Sequence, residues 1–270
     1  MSEGLSTESL KRLVRFPFQD AKWGSRFLVG TLLTLANYVV PIVPGIFVSG
    51  YILRVMRQTV AGEEPALPTW DDWGGMFKDG LSAMVVGLVY FFPALLVLIG
   101  GMVLYFMGTL YLPITASTGA QPEEALALMP MLTLGSVGIM FLSMFLGTLF
   151  SLLGAVVVPV ALGHFVAQGK LRAAFRVRQW WHILKADKLG YFVTWIVMAG
   201  LIGMAYIGFM LAYSTLVLCC LLPFLMAPFG LYVTLVGSAL FGQTYRESQA
   251  LLPRHDQGGS SKQAAESGHE

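Results

Sequence analysis

Residues 81–112 read LSAMVVGLVYFFPALLVLIGGMVLYFMGTLYL, without a single Lys, Arg, Asp or Glu. A hydrocarbon core about 30 Å thick needs about 20 apolar helical residues to cross it. This run exceeds that: at 1.5 Å per residue it makes a helix of about 48 Å. Three further blocks are free of those four residue types: Phe27–Leu53, Ala125–Gln168 and Leu189–Tyr245. The block at 125–168 becomes continuously apolar near Met129 and spans about 60 Å as a helix. Pro93 and Pro159 are the natural bend sites of these two long segments. The last block is too long for one span and fits two, with a turn near Tyr213–Cys220. No period-2 alternation is visible, which argues against a membrane β-barrel.

Composition supports the same solvent. Hydrophobic residues make up 56% of the 270 and charged residues 12%, against about 25% charged in a soluble domain. An ordinary soluble enzyme and a disordered chain are both excluded. The only cysteines, Cys219 and Cys220, are adjacent and cannot staple distant segments. A net charge of +2 is too small to point to nucleic acid. The first apolar block follows a 26-residue polar segment with no small-residue cleavage site, so no removable signal peptide is expected.

The 17 basic residues fall in four clusters. Lys11, Arg12, Arg15, Lys22 and Arg26 precede the first block. Arg54, Arg57 and Lys78 lie between the first and second. Lys170, Arg172, Arg176, Arg178, Lys185 and Lys188 lie between the third and fourth. Arg246, Arg254 and Lys262 follow the last. The Pro113–Leu128 connection has none, and carries Glu123 and Glu124. Short loops rich in Lys and Arg stay cytoplasmic, so all four clusters require the same side. Blocks two and three then cross once each, block four crosses twice, and block one crosses twice or not at all. Asn37-Tyr-Val-Val-Pro41-Ile-Val-Pro44-Gly45 breaks block one in its middle. It is either a tight hairpin of two short spans, helped by Trp23 and a snorkelling Arg54, or a re-entrant loop. The hairpin is the reading taken. The expected architecture is an all-α membrane helix bundle of about six spans, near 24–40, 45–61, 81–112, 129–168, 189–212 and 220–243. A cytoplasmic N-terminal segment (1–22) precedes the bundle (23–245), and a flexible cytoplasmic tail (246–270) follows it.

Helices in lipid associate where small residues permit close approach. Ser143, Gly147, Ser151, Ala155, Pro159, Gly163 and Ala167 recur every fourth residue. Gly230, Thr234, Ser238 and Gly242 form a second seam, and Gly200, Gly208 and Ala212, beside Ala199 and Gly203, a third. Bundle packing is the simple reading of these seams; a homo-oligomer, a protein partner or a substrate groove is the alternative. Two cytoplasmic loops share a plan in which tryptophans lie beside charges, as at a lipid–water boundary. In the first, Trp70, Trp73, Phe77 and Leu81 fall at helical spacing. In the second, Val177, Trp180, Trp181 and Leu184 form the apolar side. A short interfacial helix is predicted in each loop, and the two halves suggest a degenerate parallel repeat. Ser9–Phe18, with Leu10, Leu13, Val14 and Phe18, is a third surface-helix candidate.

The run Phe16-Pro-Phe-Gln-Asp20…Trp23, then Gly50-Tyr-Ile-Leu-Arg54-Val-Met-Arg57, then Gly62-Glu-Glu…Leu67-Pro68…Asp72-Trp73…Phe77-Lys-Asp-Gly80-Leu resembles a prokaryotic integral-membrane family known as domain of unknown function 4013. The resemblance is densest over residues 10–90 and continues through Phe175 to Gly242-Gln-Thr-Tyr245. It implies a multi-pass α-helical protein of the cell membrane, and carries no activity onto any residue.

The chemistry-bearing residues are few. No Asp, Glu, Lys or Arg lies inside the four apolar blocks, and the only histidine there, His164, is near a cytoplasmic end. Intramembrane ionisable groups mark ion and proton pathways, so a proton- or sodium-coupled transporter is disfavoured. Broken helices near Pro41–Gly45, Pro159 and Pro223–Pro228 are one transporter-like trait. Asp71 and Asp72 could ligate Mg²⁺ or do acid–base work, although a helix N-cap and a solvated turn explain them more simply. A cytoplasmic polar site of Asp71, Asp72, His164 and His182 lacks metal-ligand spacing. Asn37, beside the Pro41 break, is expected to bond a freed backbone carbonyl. Arg172, Arg176, Arg178, Lys185 and Lys188, with Trp180 and Trp181, are candidate contacts for anionic lipid headgroups; the simpler reading is that these charges only set topology. No catalytic, cofactor or metal residue is assigned. The expectation is a non-enzymatic membrane protein working through lipid or protein contacts, a scaffold or membrane-organising module. The alternatives are a permease or channel for a neutral or lipid-like substrate, and an enzyme acting on lipid at the cytoplasmic face.

Overall fold

The computed structural model describes residues 7–111, 114, 122–213 and 216–252. Every regular element among them is helical: α1 (Thr7–Arg15), a 3₁₀ turn (Phe16–Phe18), α2 (Trp23–Ala36), α3 (Val43–Ala61), α4 (Trp73–Phe106) ending in a π turn (Met107–Tyr111), α5 (Pro122–Gln168), α6 (Leu171–Ala174), α7 (Val177–Ala186), α8 (Lys188–Tyr213) and α9 (Leu216–Ala250). Four segments are long and apolar enough to cross a membrane: Trp73–Leu110, Met129–Gln168, Lys188–Leu211 and Leu221–Ala250. These match the last four predicted spans. The first two are present as α2 and α3, and neither is among these four: α2 has 14 residues, and α3 has 19 with Arg54 and Arg57 in its second half. The expected turn near Tyr213–Cys220 coincides with the end of α8 and the start of α9, and residues 214–215 lie outside the described residues. So do residues 113 and 115–121 of the Pro113–Leu128 connection, and the tail from 253.

The chain divides into two compact units, residues 1–86 with 159–270, and residues 87–158. In the first unit the core is gathered on the second half of α9. Leu231, Leu235, Val236, Ala239, Leu240 and Tyr245 are buried there, with Tyr51 and Val55 from α3, Met76 from α4, Val160 and Ala161 from α5, and Trp180 from α7. Glycine sets the closest approaches. A Cβ on Gly50 would strike the carbonyl of Met76, and one on Gly80 the carbonyl of Ile46, so α3 and the start of α4 run antiparallel with their backbones touching. α1 and the 3₁₀ turn dock through Leu13 and Phe16, both buried, and the Tyr232 hydroxyl donates to the Val14 carbonyl at 3.1 Å. The Ser9–Phe18 candidate is thus a helix fastened to protein.

The second unit is a helical hairpin. A Cβ on Gly101 would meet Ser143, one on Gly108 Ser136, one on Gly147 Leu98 and one on Gly154 Phe91. These pairs are antiparallel and place the predicted Ser143–Gly147 seam inside the unit. Its outward side chains are bulky and apolar: Met131, Leu134, Phe141 and Phe145 are all more than 60% exposed. Such a surface suits hydrocarbon, where a helix satisfies its own backbone.

The other seams are only partly occupied. Gly163 packs on Tyr245, and Gly242 on Thr59 and the Met56 carbonyl, whereas Gly230, Gly200 and Gly208 meet nothing within 4 Å.

Candidate functional site

The two loops that share tryptophans and charges differ once their partners are known. The first, after α3, contains no separate helix. The chain is irregular from Glu63 to Asp72, and the helix that starts at Trp73 is already α4. Pro65 and Pro68 disfavour an earlier helical turn. Trp70 therefore lies ahead of the helix that carries Trp73, Phe77 and Leu81, although its ring still meets Trp73 at 5.5 Å. It stacks on Tyr51 with ring centroids 4.1 Å apart, and its indole N–H donates to the Arg26 carbonyl at 2.9 Å.

The arginines of this region are paired with aspartates. Arg54 pairs with Asp72 at 2.6 Å, and Arg57 makes a two-pronged contact to Asp79 at 3.1 and 3.0 Å. Arg26 pairs with Asp20 and donates to the Leu67 carbonyl at 2.7 Å. The expected snorkelling of Arg54 is replaced by this pairing. Asp72 is the N-cap of α4: its Oδ1 accepts the Gly75 N–H at 2.9 Å. That bond, then the Arg54 guanidinium, holds its carboxyl below the usual carboxylate range. The cap reading of Asp72 accounts for its position; Asp71 beside it is exposed.

The second loop folds as α6 and α7. Trp180 and Ile183 turn inward, and the Trp180 indole N–H donates to the Ala174 carbonyl at 3.1 Å. The predicted apolar side of Val177, Trp180, Trp181 and Leu184 is thus divided. Trp180, 2% exposed, is a core residue and not a headgroup contact, because its N–H needs the Ala174 carbonyl once buried. Val177 and Trp181 face outward, and the Lys185 ammonium lies 5.3 Å from the Trp181 ring centre. Arg172, Arg176, Arg178, Lys185 and Lys188 are all exposed, and none forms an ion pair among the described residues. The one nearby acid, Asp187, is engaged in accepting the Gly190 N–H at 2.9 Å.

Asp71, Asp72, His164 and His182 share no hydrogen bond or ion pair with one another. His182 is exposed on α7. His164 is buried, with Nδ1 2.7 Å from the Tyr245 hydroxyl and Nε2 3.1 Å from Gln179 and 3.0 Å from Gln168. The Tyr245 hydroxyl also accepts from Gln249 at 3.0 Å. This network ties α5, α7 and α9 together and occupies both ring nitrogens. Among the described residues, no three His, Cys, Asp or Glu side chains are grouped to hold a metal ion. Gln168, Gln179, Tyr245 and Gln249 were not singled out in the sequence. The available signal was i,i+4 spacing, His164 to Gln168 and Tyr245 to Gln249. Asn37 also differs from expectation: its Oδ1 accepts the Ile42 N–H at 3.2 Å instead of its amide meeting a carbonyl. A cavity of about 270 Å³ opens between α1, the end of α3 and the end of α9, lined by Arg12, Glu63, Glu64, Gln243, Arg246 and Glu247 among others. Its residues come from separate stretches, which hides it from a linear reading.

Against known families, the model described as protein of unknown function (DUF4013) matches residues 33–214. The chain belongs to this family. The family match takes in α3, both loops and α8, and leaves outside it the Phe16–Trp23 and Gly242–Tyr245 stretches that also carried the resemblance. No curated protein and no solved structure matches the chain.

Proposed function

We propose that this member of the family is a multi-pass protein of the cell membrane that acts without chemistry, through contacts with lipid. Its termini and both tryptophan loops lie on the cytoplasmic face, and the α6–α7 loop gathers anionic headgroups. One observation carries the reading: the five exposed basic residues around Trp181 have no carboxylate partner among the described residues, whereas Arg26, Arg54 and Arg57 are all paired. A cation with no internal partner retains its attraction for a negative surface, about 1 kcal/mol per Lys or Arg. Outward Val177 and Trp181 supply the apolar and aromatic contact that holds such a helix in the interface. Charges needed for topology alone would serve equally well paired.

The test is lipid retention. The full chain is purified in mild detergent with a mixture of phosphatidylglycerol and phosphatidylethanolamine, and bound lipids are counted by native mass spectrometry. Wild type is expected to retain phosphatidylglycerol preferentially. Replacing Arg172, Arg176, Arg178, Lys185 and Lys188 by Gln is expected to lower that preference at least tenfold. Equal retention by the two proteins would remove the reading.

A further inference from the structure

The turn between α2 and α3 exposes the wrong residues for water. Tyr38, Val39, Val40, Ile42 and Val43 are all at least half exposed, Val39 to 83%. A solvent-facing connection is normally polar and built from turn-forming polar residues; this one is Y-V-V-P-I-V.

Its backbone N–H groups are also closed to water. The N–H groups of Asn37, Tyr38, Val39 and Val40 bond back to carbonyls of residues 33, 35, 36 and 36 at 2.8–3.1 Å. Ile42 N–H is taken by Asn37 Oδ1 at 3.2 Å, and Val43 N–H by the Pro41 carbonyl at 3.1 Å. Pro41 and Pro44 have no N–H. Every backbone N–H from residue 37 to 44 is therefore satisfied inside the hairpin or absent. The Pro41–Val43 bond closes a γ-turn and holds Ile42 at φ 81°, a strained region for a branched side chain. A turn in water has no need of such closure. A turn in hydrocarbon requires it, because each unmet donor there costs several kcal/mol.

Length fixes how deep the hairpin reaches. Ten residues separate Arg26 from Ala36 and eleven separate Val43 from Arg54, about 15 and 16 Å of helix. A crossing needs about 30 Å, so each apolar arm covers one leaflet. The base of the hairpin carries the features of a membrane surface. Arg26 and Arg54 are neutralised by Asp20, Asp72 and Asp79, and Phe47 packs edge-on to Trp73 at 5.4 Å and beside Phe77 at 5.6 Å. With Ile46 beside Gly80, the turn draws level with the first half of α4, whose apolar segment runs on to Leu110.

We infer that the α2–α3 hairpin is a re-entrant wedge whose turn, Tyr38–Val43, ends among the acyl chains of the cytoplasmic leaflet. It takes the place of the two short crossings expected from the sequence. Entry and exit on one face leave the charge asymmetry intact, and the wedge displaces lipid from one leaflet only. It does not depend on the headgroup reading.

The test uses the full chain in oriented membrane vesicles, with Cys219 and Cys220 replaced by Ala and a single cysteine introduced by Val39→Cys. Val40→Cys serves if the first variant fails to accumulate, and Glu63→Cys is the exposed cytoplasmic control. An impermeant maleimide applied to either face is expected to label position 39 at least tenfold more slowly than position 63. A permeant bimane at position 39 should be quenched most by bromines in the acyl chains. Labelling from the outer face would mean a full crossing, and labelling from the cytoplasmic face at the control rate would place the turn in water; either result overturns the wedge.

Discussion

The loop after α3 and the loop after α5 look alike in the sequence, and the structure uses them in opposite ways. In the first, each arginine has an aspartate: Arg54 with Asp72, Arg57 with Asp79, and nearby Arg26 with Asp20. Its central tryptophan, Trp70, is clamped on Tyr51. In the second, five cations face outward with no acid among the described residues to answer them, and Trp181 is presented beside Lys185. Charge count alone does not tell a structural loop from a binding loop. The availability of partners does. Neutralised arginines fasten α3 to α4, while the cations proposed to meet headgroups have no acid partner among the described residues.

The comparison can be broken most severely where the first loop is held. Gly80→Leu drives a side chain into the Ile46 carbonyl, and Gly50→Leu does the same at Met76. Each should cost about 3 kcal/mol or more, read as loss of folded protein by size-exclusion fluorescence. A normal yield would mean that α3 and α4 are not in backbone contact. Asp79→Ala is the next largest. It strips the two-pronged partner from Arg57 and the second carboxylate from Arg54, whose side chain is 20% exposed. A fully buried pair would lose about 3–5 kcal/mol; with Arg57 45% exposed, about 2 kcal/mol is expected, seen as a fall in the thermal midpoint. An unchanged midpoint would show these pairs to be ornamental.

The acid response of the first loop is smaller and has a definite sign. The Asp72 carboxyl is held below its ordinary value by the Gly75 N–H and then by Arg54. Its contribution is therefore complete above the unfolded pKa, about 3.9, and is lost as pH falls through the lower folded value. Thermal midpoints should drop on acidification below about pH 4, and Asp72→Asn should flatten that drop. An identical profile for the variant would contradict the cap. The second loop should show almost nothing in such assays. Arg178→Gln or Lys185→Gln should change stability by no more than about 0.5 kcal/mol, and a larger loss would mean that these side chains have structural partners.

Much of this was readable from residues. Charge-free runs identified four spans, because burial in lipid forbids ionised groups and leaves a long signature. The cap role of Asp72 followed from its place before an apolar helix, and α7 from its tryptophan and basic spacing. The readings that changed depend on contacts between distant segments. Trp180 and Trp181 are adjacent, and only the Ala174 carbonyl decides which is core. Trp70 fits helical spacing with Trp73 and does meet its ring, yet it does so from an irregular segment, held by Tyr51 and the Arg26 carbonyl. His164 and Asp72 looked like parts of one polar site, and each is engaged by a different neighbour. A linear pattern reports which residues want burial, and not which partner buries them.

The most direct measurement sets the two loops against each other in one experiment. The full chain is placed in nanodiscs of phosphatidylglycerol and phosphatidylcholine, and the retained phosphatidylglycerol fraction is measured for three proteins: wild type, Arg54→Gln/Arg57→Gln, and Arg172→Gln/Arg176→Gln/Arg178→Gln/Lys185→Gln/Lys188→Gln. The account predicts an enriched anionic fraction for wild type and for the first-loop variant, and a fall to the bulk ratio for the second-loop variant alone. Equal loss in both variants, or enrichment that survives in both, would contradict it.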